Sequence, residues 1–234
     1  MPLQLFRATV CRVRDLTHDV RELDLRLAEP PQIAFKAGQF LSFEVGRDAL
    51  QRTIIRPYSI ASPPGRPDVI TLLFNLVPGG PGSTYLFSLK EGDETQFKGP
   101  TGAFYLRDDL TRDHLFVATG TGIAPIRSML FALAERGFPR PVTLYWGLRS
   151  QRDLYYQDDL AALAHPNFAP LTTLSRPEDG WPGERGRVTR LVEERIASVK
   201  NLAVYLCGNE GMLKDVTAVL QKKGLCPIYR EKYY

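Results

Sequence analysis

Arg56-Pro57-Tyr58-Ser59 places a phosphate-pairing guanidinium, a flat aromatic ring and a hydroxyl within four consecutive positions. In a strand, alternation puts Arg56 and Tyr58 on one face and turns Ser59 to the other unless the strand bends. The same residues also fit an ordinary strand with an exposed arginine. A second stretch, Gly120-Thr121-Gly122-Ile123-Ala124-Pro125, follows an apolar run and opens a helical pattern. Glycine lets a pyrophosphate approach the backbone without a Cβ in the way, and a helix start favours an anion. Pro125 suits a first helical turn, where its missing N–H would have had no partner. Taken alone, the hexapeptide fits a ligand-free glycine turn equally well.

Four further groups invite the same double reading. Val77-Pro78-Gly79-Gly80-Pro81-Gly82-Ser83-Thr84 is either a second anion site at a helix start or a tight loop. Cys207-Gly208-Asn209 closes the last long apolar strand, and strand C-termini in parallel sheets are where ligands bind. A small polarizable residue followed by glycine would let a flat ring stack close to the backbone; a buried structural thiol is the plainer alternative. Ser175-Arg176 and Gly186-Arg187 follow a predicted strand and could grip a phosphate monoester, or could be solvent-facing loop charge. Finally, Glu231-Lys232-Tyr233-Tyr234 carries two aromatics after a predicted strand at 227–230, which argues against a frayed terminus.

The elements that must position these groups divide into two rhythms. Residues 5–98 read as strands: 20–27 alternates apolar and polar, and 40–45 and 69–77 are further strands between Gly/Pro-rich turns. Several short strands with one short helix, predicted over 84–90 and capped by Ser83, suggest a closed or nearly closed antiparallel barrel. After Phe104 the pattern becomes β-α-β. Strands are predicted over 115–119, 142–146, 168–174, 202–207 and 227–230, with helices over 126–136, 153–164, 189–197 and 212–222. That alternation implies a parallel sheet with helices on both faces, and 105–114 reads as the connection between halves. The expected domains are 1–104 and 105–234.

Composition excludes several classes. At 234 residues with 44% hydrophobic and 24% charged residues, the chain is ordinary globular material. No signal-like N-terminus and no span-length apolar run are present, which argues against export and membrane insertion and predicts a cytoplasmic protein. Cys11, Cys207 and Cys226 are scattered, without C-x-x-C spacing, and there are only 3 histidines. No metal or iron–sulfur site is therefore expected, and redox chemistry would need an organic cofactor. The net charge of +4 is dispersed rather than striped, so nucleic acid is not expected; phosphate-bearing cofactors or an acidic protein partner fit as well.

Taken jointly and in order, these motifs resemble the ferredoxin–NADP reductase superfamily. The resemblance runs from Ala37-Gly38-Gln39-Phe40 to the last residue. Ala118-Thr119-Gly120-Thr121, Leu206-Cys207-Gly208-Asn209 and the Glu231-x-Tyr233-Tyr234 ending look most like bacterial ferredoxin (flavodoxin)–NADP reductases. The stretches 56–62 and 175–187 look equally like oxygenase reductase components and flavin reductases. The resemblance implies a β + α/β fold: a six-stranded antiparallel FAD-binding barrel, then a five-stranded parallel NADP-binding sheet.

It also implies site roles. Arg56, Pro57, Tyr58 and Ser59 would hold FAD, with Ser59 near the atom that receives a hydride. Phe74, Asn75, Leu76 and Val77 would run beside the ring system, and Gly82, Ser83 and Thr84 would hold the FAD pyrophosphate. Gly120, Thr121, Gly122 and Pro125 would take the NADP pyrophosphate. Arg149, Ser175, Arg176 and Arg187 would line the coenzyme site and grip its 2′-phosphate, although Glu178 and Asp179 lie close by. Cys207, Gly208, Asn209 and Met212 would flank the nicotinamide. Glu231 would sit near the reacting centre, Tyr233 over the flavin and Tyr234 at the FAD adenine. The implied activity is hydride transfer from NADPH, with NADH less favoured, to FAD, then single electrons to a ferredoxin or flavodoxin. A flavin reductase or oxygenase reductase is the alternative, and a non-catalytic flavin-binding redox sensor a remoter one.

Overall fold

The computed structural model describes residues 3–109 and 111–233. The elements in chain order are strands β1 (Gln4–Asp15), β2 (Val20–Glu29), β3 (Phe40–Arg47), β4 (Thr53–Ser59) and β5 (Val69–Asn75), helix α1 (Pro81–Ser88) and strand β6 (Glu94–Thr101). There follow β7 (Asp113–Thr119), α2 (Ile123–Ala134), β8 (Val142–Leu148), α3 (Gln157–Ala161), β9 (Phe168–Leu174), β10 (Glu184–Arg185), α4 (Val188–Arg195), β11 (Leu202–Gly208), α5 (Glu210–Lys223) and β12 (Ile228–Lys232). The chain divides into two compact units. One runs through Leu106 and takes in Arg127–Ala132; the other holds Arg107–Ile126 and the chain from Leu133 onward.

In the first unit a six-stranded antiparallel sheet runs in the order β4-β3-β6-β1-β2-β5. It curls until its edges meet, where Ile60 bridges Leu72 and the Ala61 N–H donates to the Thr71 carbonyl at 2.8 Å. Alternation along β2 puts Leu23, Leu25 and Leu27 inside. There they join Phe6, Phe43, Phe97, Leu41, Ile70 and Leu72 in one core. Phe97 centres it, with ring centroids 5.5 Å from Phe6 and 5.3 Å from Phe43. The five apolar side chains of β5 (Val69, Ile70, Leu72, Leu73 and Phe74) and Thr71 among them are all buried, as a strand covered on both faces requires.

In the second unit the sheet is parallel, in the order β10-β9-β8-β7-β11-β12. From β7 the chain winds outward through β8, β9 and β10, then returns to lay β11 on the other side of β7. The winding therefore reverses between β7 and β11, and the crevice at the carboxyl ends of two such strands is where open α/β sheets bind ligands. Apolar faces of α4 and α5 (Val188, Leu191, Val192, Met212, Leu213, Val216, Leu220) pack on Leu115, Val117, Val204 and Leu206.

Three expectations change. The parallel sheet has six strands rather than five, because the two-residue β10 pairs with β9. The helix expected over 84–90 begins at Pro81 instead, with Gly80 as its N-cap. Proline at the first helical position needs no N–H partner, and Ser83 lies inside the first turn rather than capping it. The helix expected over 153–164 breaks into a 3-10 turn at Gln151–Asp153 and the five-residue α3. Between them, Tyr155 and Tyr156 turn inward and are buried, Tyr156 at φ +56°.

Candidate functional site

β4 sets the first cluster. Pairing with β3 places Ser59 opposite Phe40 and Arg56 opposite Phe43, with Pro57 opposite Ser42. Ser59 is only 3% exposed, Tyr58 is half-buried, and Arg56 and Pro57 are exposed. The Tyr58 ring meets Phe43 and Phe74 edge-on at 5.8 and 5.7 Å. Burial pushes the Tyr58 hydroxyl up to about 12, against the opposing pull of the Arg56 charge, so it stays protonated and able to donate. The Arg56 guanidinium donates to the Ile55 carbonyl at 2.9 Å and has no carboxylate partner among the described residues.

α1 closes over this strand at Gly82. A Cβ at 82 would sit 2.5 Å from the Tyr58 hydroxyl and 2.8 Å from Arg56 Cγ, so only glycine lets the helix start lie against both side chains. Ser83 is buried. Its Oγ accepts from the Val77 N–H at 3.0 Å and lies 3.2 Å from the Gly80 carbonyl, which pins the 77–80 loop to the helix. The preceding run leaves the core here: Phe74 is buried, Asn75 half-buried, and Leu76 and Val77 are 39% and 41% exposed. The Leu76 N–H is taken by the Asp19 carbonyl at 2.7 Å, and Thr84 faces solvent.

The second cluster gathers at the reversal of the parallel sheet. After β7, Gly120–Gly122 forms a 3-10 turn that runs directly into α2, with Thr121 and Pro125 buried. A Cβ on Gly122 would collide with the Cys207 carbonyl oxygen and come within 2.7 Å of its carbon and 3.0 Å of Gly208 Cα. Glycine at 122 is thus what brings the two motifs into contact. The Asn209 backbone N–H and Nδ2 both donate to Thr119 Oγ1 at 3.3 Å, while Asn209 Oδ1 accepts the Met212 N–H at 2.9 Å and caps α5. Trp146 Nε1 donates to the Gly120 carbonyl at 3.0 Å. Sequence reasoning gives Thr119 no role beyond its place in the 118–121 motif and passes over Trp146, whose only signal is its position at the end of an apolar strand.

Cys207 is fully buried, and that burial, followed by the charge of Glu231, pushes its thiol well above the ordinary range. It is a protonated, non-nucleophilic group. Glu231 stands opposite it in the β11–β12 register, and the Tyr233 N–H donates to the Gly208 carbonyl at 2.8 Å. Strand-like pairing thus carries the tail past β12 and holds Tyr233, half-buried, beside Gly208. Tyr234 lies outside the described residues.

A third group forms where β8, β9 and β10 end. The Arg176 N–H donates to the Arg149 carbonyl at 2.7 Å, and the Gly186 N–H to the Leu174 carbonyl at 2.8 Å, so Arg149, Ser175, Arg176 and Arg187 share one sheet edge. Other arginines nearby are engaged: Arg152 with Glu178, Arg190 with Glu184 and Glu194, and Arg195 with Glu184. Among the described residues the guanidinium groups of Arg149, Arg176 and Arg187 have no carboxylate partner, and all three are exposed. These donors suit phosphate groups, while the missing Cβ atoms at Gly82 and Gly122 let each helix start pack directly against its own neighbours in the protein.

Comparison with known proteins agrees with this chemistry. An oxidoreductase FAD-binding domain model matches residues 7–105, and an oxidoreductase NAD-binding domain model matches 116–218. The chain is 33% identical over 240 residues to the ferredoxin–NAD(P)(+) reductase component of a Pseudomonas putida naphthalene 1,2-dioxygenase system, covering 100% of this chain and 70% of that protein. It is 34% identical over 219 residues to ferredoxin–NADP reductase B of Sorangium cellulosum, covering 90% of this chain and 89% of the relative. The crystal structure of an Amycolatopsis cytochrome P450 reductase matches with a TM-score of 0.88 at 30% identity, covering 99% of this chain and 70% of that one. With both domain models placed in order on the two units, the chain is an FAD- and NAD(P)-binding oxidoreductase and belongs to the ferredoxin–NADP reductase superfamily.

Proposed function

We infer that the protein takes a hydride from NADPH and passes electrons to a ferredoxin-type acceptor, a ferredoxin or a flavodoxin. The observation that carries the coenzyme choice is the unpaired trio Arg149, Arg176 and Arg187. Three exposed cations with no carboxylate partner among the described residues, at the carboxyl edge of β8–β10 and beside the Ser175 hydroxyl, suit a phosphate monoester better than a ribose diol. FAD supplies the redox chemistry when bound, accepting a hydride and releasing single electrons.

The chain's own residues bind and align. Residues 1–104 would hold FAD: Arg56 pairs with its pyrophosphate along with Gly82, Ser83 and Thr84, Tyr58 packs on the ring system, and 74–77 run beside it. Ser59 offers its hydroxyl where the hydride arrives. Residues 105–234 would hold the coenzyme, with Gly120–Gly122 at the pyrophosphate and Pro125 behind them. Cys207, Gly208, Asn209 and Met212 form the floor for the nicotinamide. The neutral Cys207 thiol adds no charge there, and Tyr233 excludes water from the reacting centre. Glu231 lies beside Cys207 as the nearest acid on the neighbouring strand.

A second reading keeps the chemistry and changes the acceptor: the reductase component of an oxygenase system. Relatives that carry this description align with the whole chain, among them the naphthalene dioxygenase reductase component and a phenol 2-monooxygenase reductase component. Anaerobic stopped-flow mixing of the purified yellow protein with NADPH and with NADH tests the proposal. Much faster bleaching by NADPH is the expected result. Faster bleaching by NADH would move the oxygenase reading to first place, and no bleaching by either would remove the catalytic claim.

A further inference from the structure

Beyond β8, a side chain outside the coenzyme cluster ties down the loop that carries it. The 3-10 turn Gln151–Asp153 is locked by Asp153, whose Oδ2 accepts from both the N–H and the Oγ–H of Ser150 at 2.7 Å. The locked turn aims the Gln151 amide at the loop after β9. There its Oε1 accepts the Glu178 N–H at 2.9 Å and its Nε2 donates to the Glu178 carbonyl at 3.3 Å. One side chain thus takes both backbone groups of one residue, as a neighbouring strand would. Next to it, Arg152 holds its guanidinium 3.5 Å from the Glu178 carboxylate.

Only Pro177 separates Glu178 from Arg176, and proline fixes its own φ and restricts the residue before it. Backbone pairing fixes the near end of this segment, since Ser175 and Arg176 donate to the Leu148 and Arg149 carbonyls at 3.0 and 2.7 Å. Gln151 fixes the far end. Arg176 is therefore held between two anchors. The Glu178 carboxylate, two residues away, is of the sign that would repel a phosphate, and Arg152 stands against it.

We propose that Gln151 is a positioning residue for coenzyme choice, holding Ser175 and Arg176 ready for the 2′-phosphate, while Arg152 offsets the Glu178 charge beside them. This rests on the NADPH reading above, so the test begins with the wild-type protein, comparing KM for NADPH with that for NADH and inhibition by 2′-AMP with that by 5′-AMP. Losing two loop hydrogen bonds in Gln151→Ala should raise KM for NADPH about tenfold and weaken 2′-AMP to a similar degree. KM for NADH and the flavin reduction rate at saturation should stay within about twofold.

Arg152→Ala should raise KM for NADPH less, about threefold at low salt, as befits an exposed pair. Adding Glu178→Gln to it should restore the wild-type value, because the uncompensated charge is then gone. A wild-type protein that shows no preference for 2′-phosphorylated ligands overturns the coenzyme reading and this proposal with it. If the wild type prefers them and Gln151→Ala shifts both coenzymes equally or neither, the coenzyme reading stands and the positioning role is overturned.

Discussion

Ser59 and His114 are both buried polar side chains, at 3% and 2% exposure, yet they invite opposite experiments. Ser59 closes β4 beside Tyr58, in the strand proposed above to hold FAD. Ser59→Ala removes one oxygen and leaves the volume almost filled, so FAD should stay bound. Flavin reduction by NADPH should slow by about tenfold or more, the scale of one hydrogen bond lost at the reacting atom. Stopped-flow absorbance reads it, and a rate within twofold of wild type would take Ser59 out of the reaction. His114 stacks with Phe116 and Tyr205 at 6.0 and 6.1 Å, and among the described residues neither ring nitrogen has a hydrogen-bond partner. Burial holds its pKa below the usual 6.5; Asp113 and Asp109 pull it up and Arg140 adds to the lowering. A histidine kept neutral in the fold binds its proton more readily once unfolded. Its contribution is therefore complete above 6.5 and lost as pH falls from there toward the lower, folded value. His114→Phe keeps the stack and removes the proton. Urea unfolding at pH 7.5 and 5.5 should show a smaller acid loss in the variant, and an unchanged loss would mean that the acid sensitivity lies elsewhere.

At the scale of elements, Asn209 joins two tasks that substitutions can separate. Its Oδ1 caps α5 through the Met212 N–H, and its Nδ2 reaches Thr119 at the end of β7. Asn209→Ala removes both and should cost about 1 kcal/mol or more in chemical denaturation. Asn209→Ser keeps the cap and loses only the long amide contact, so its midpoint should lie closer to wild type; equal losses would place the stability in the Thr119 link instead. Elements of this kind show what was legible in the residues. β2, β5, β7, β11 and α5 follow plain periodicity or unbroken apolar runs, and each lies within a few residues of where periodicity predicts it. The helix expected over 153–164 failed because Tyr155 and Tyr156 are drawn into the core, a tertiary demand that local propensity does not carry. β10 has two residues and no pattern of its own; it exists because Gly186 and Glu184 find β9. The start of α1 was misplaced because Gly-Pro-Gly reads as a turn, although Pro81 is well suited to a first helical position. At the site, the glycine and cysteine motifs could be seen in sequence. Their supports Thr119, Trp146 and Gln151 could not, since each acts on a residue far along the chain.

For the molecule as a whole, charge is the property that bears on what it meets. With 30 lysines and arginines against 26 acids, the formal charge is +4, and many of the individual charges are paired with one another, as Glu210 is with Lys214 and Lys232. That pairing lowers the Glu210 carboxyl to about 2, so the carboxylate stays charged across the physiological range. The excess positive charge favours encounter with an acidic electron carrier, and such steering acts through the solvent over a distance that salt shortens. The Debye length falls from about 30 Å at 0.01 M to about 8 Å at 0.15 M ionic strength. If the acceptor is an acidic ferredoxin or flavodoxin, kcat/KM for it should drop by about tenfold across that range. Transfer to an uncharged quinone should change little, because a neutral acceptor is not steered. Measuring both acceptors at fixed, saturating NADPH separates docking from the coenzyme site, whose own phosphate contacts also respond to salt. A shared decline would locate the effect at the coenzyme, and a flat response with the protein carrier would mean that docking relies on apolar contact rather than on charge.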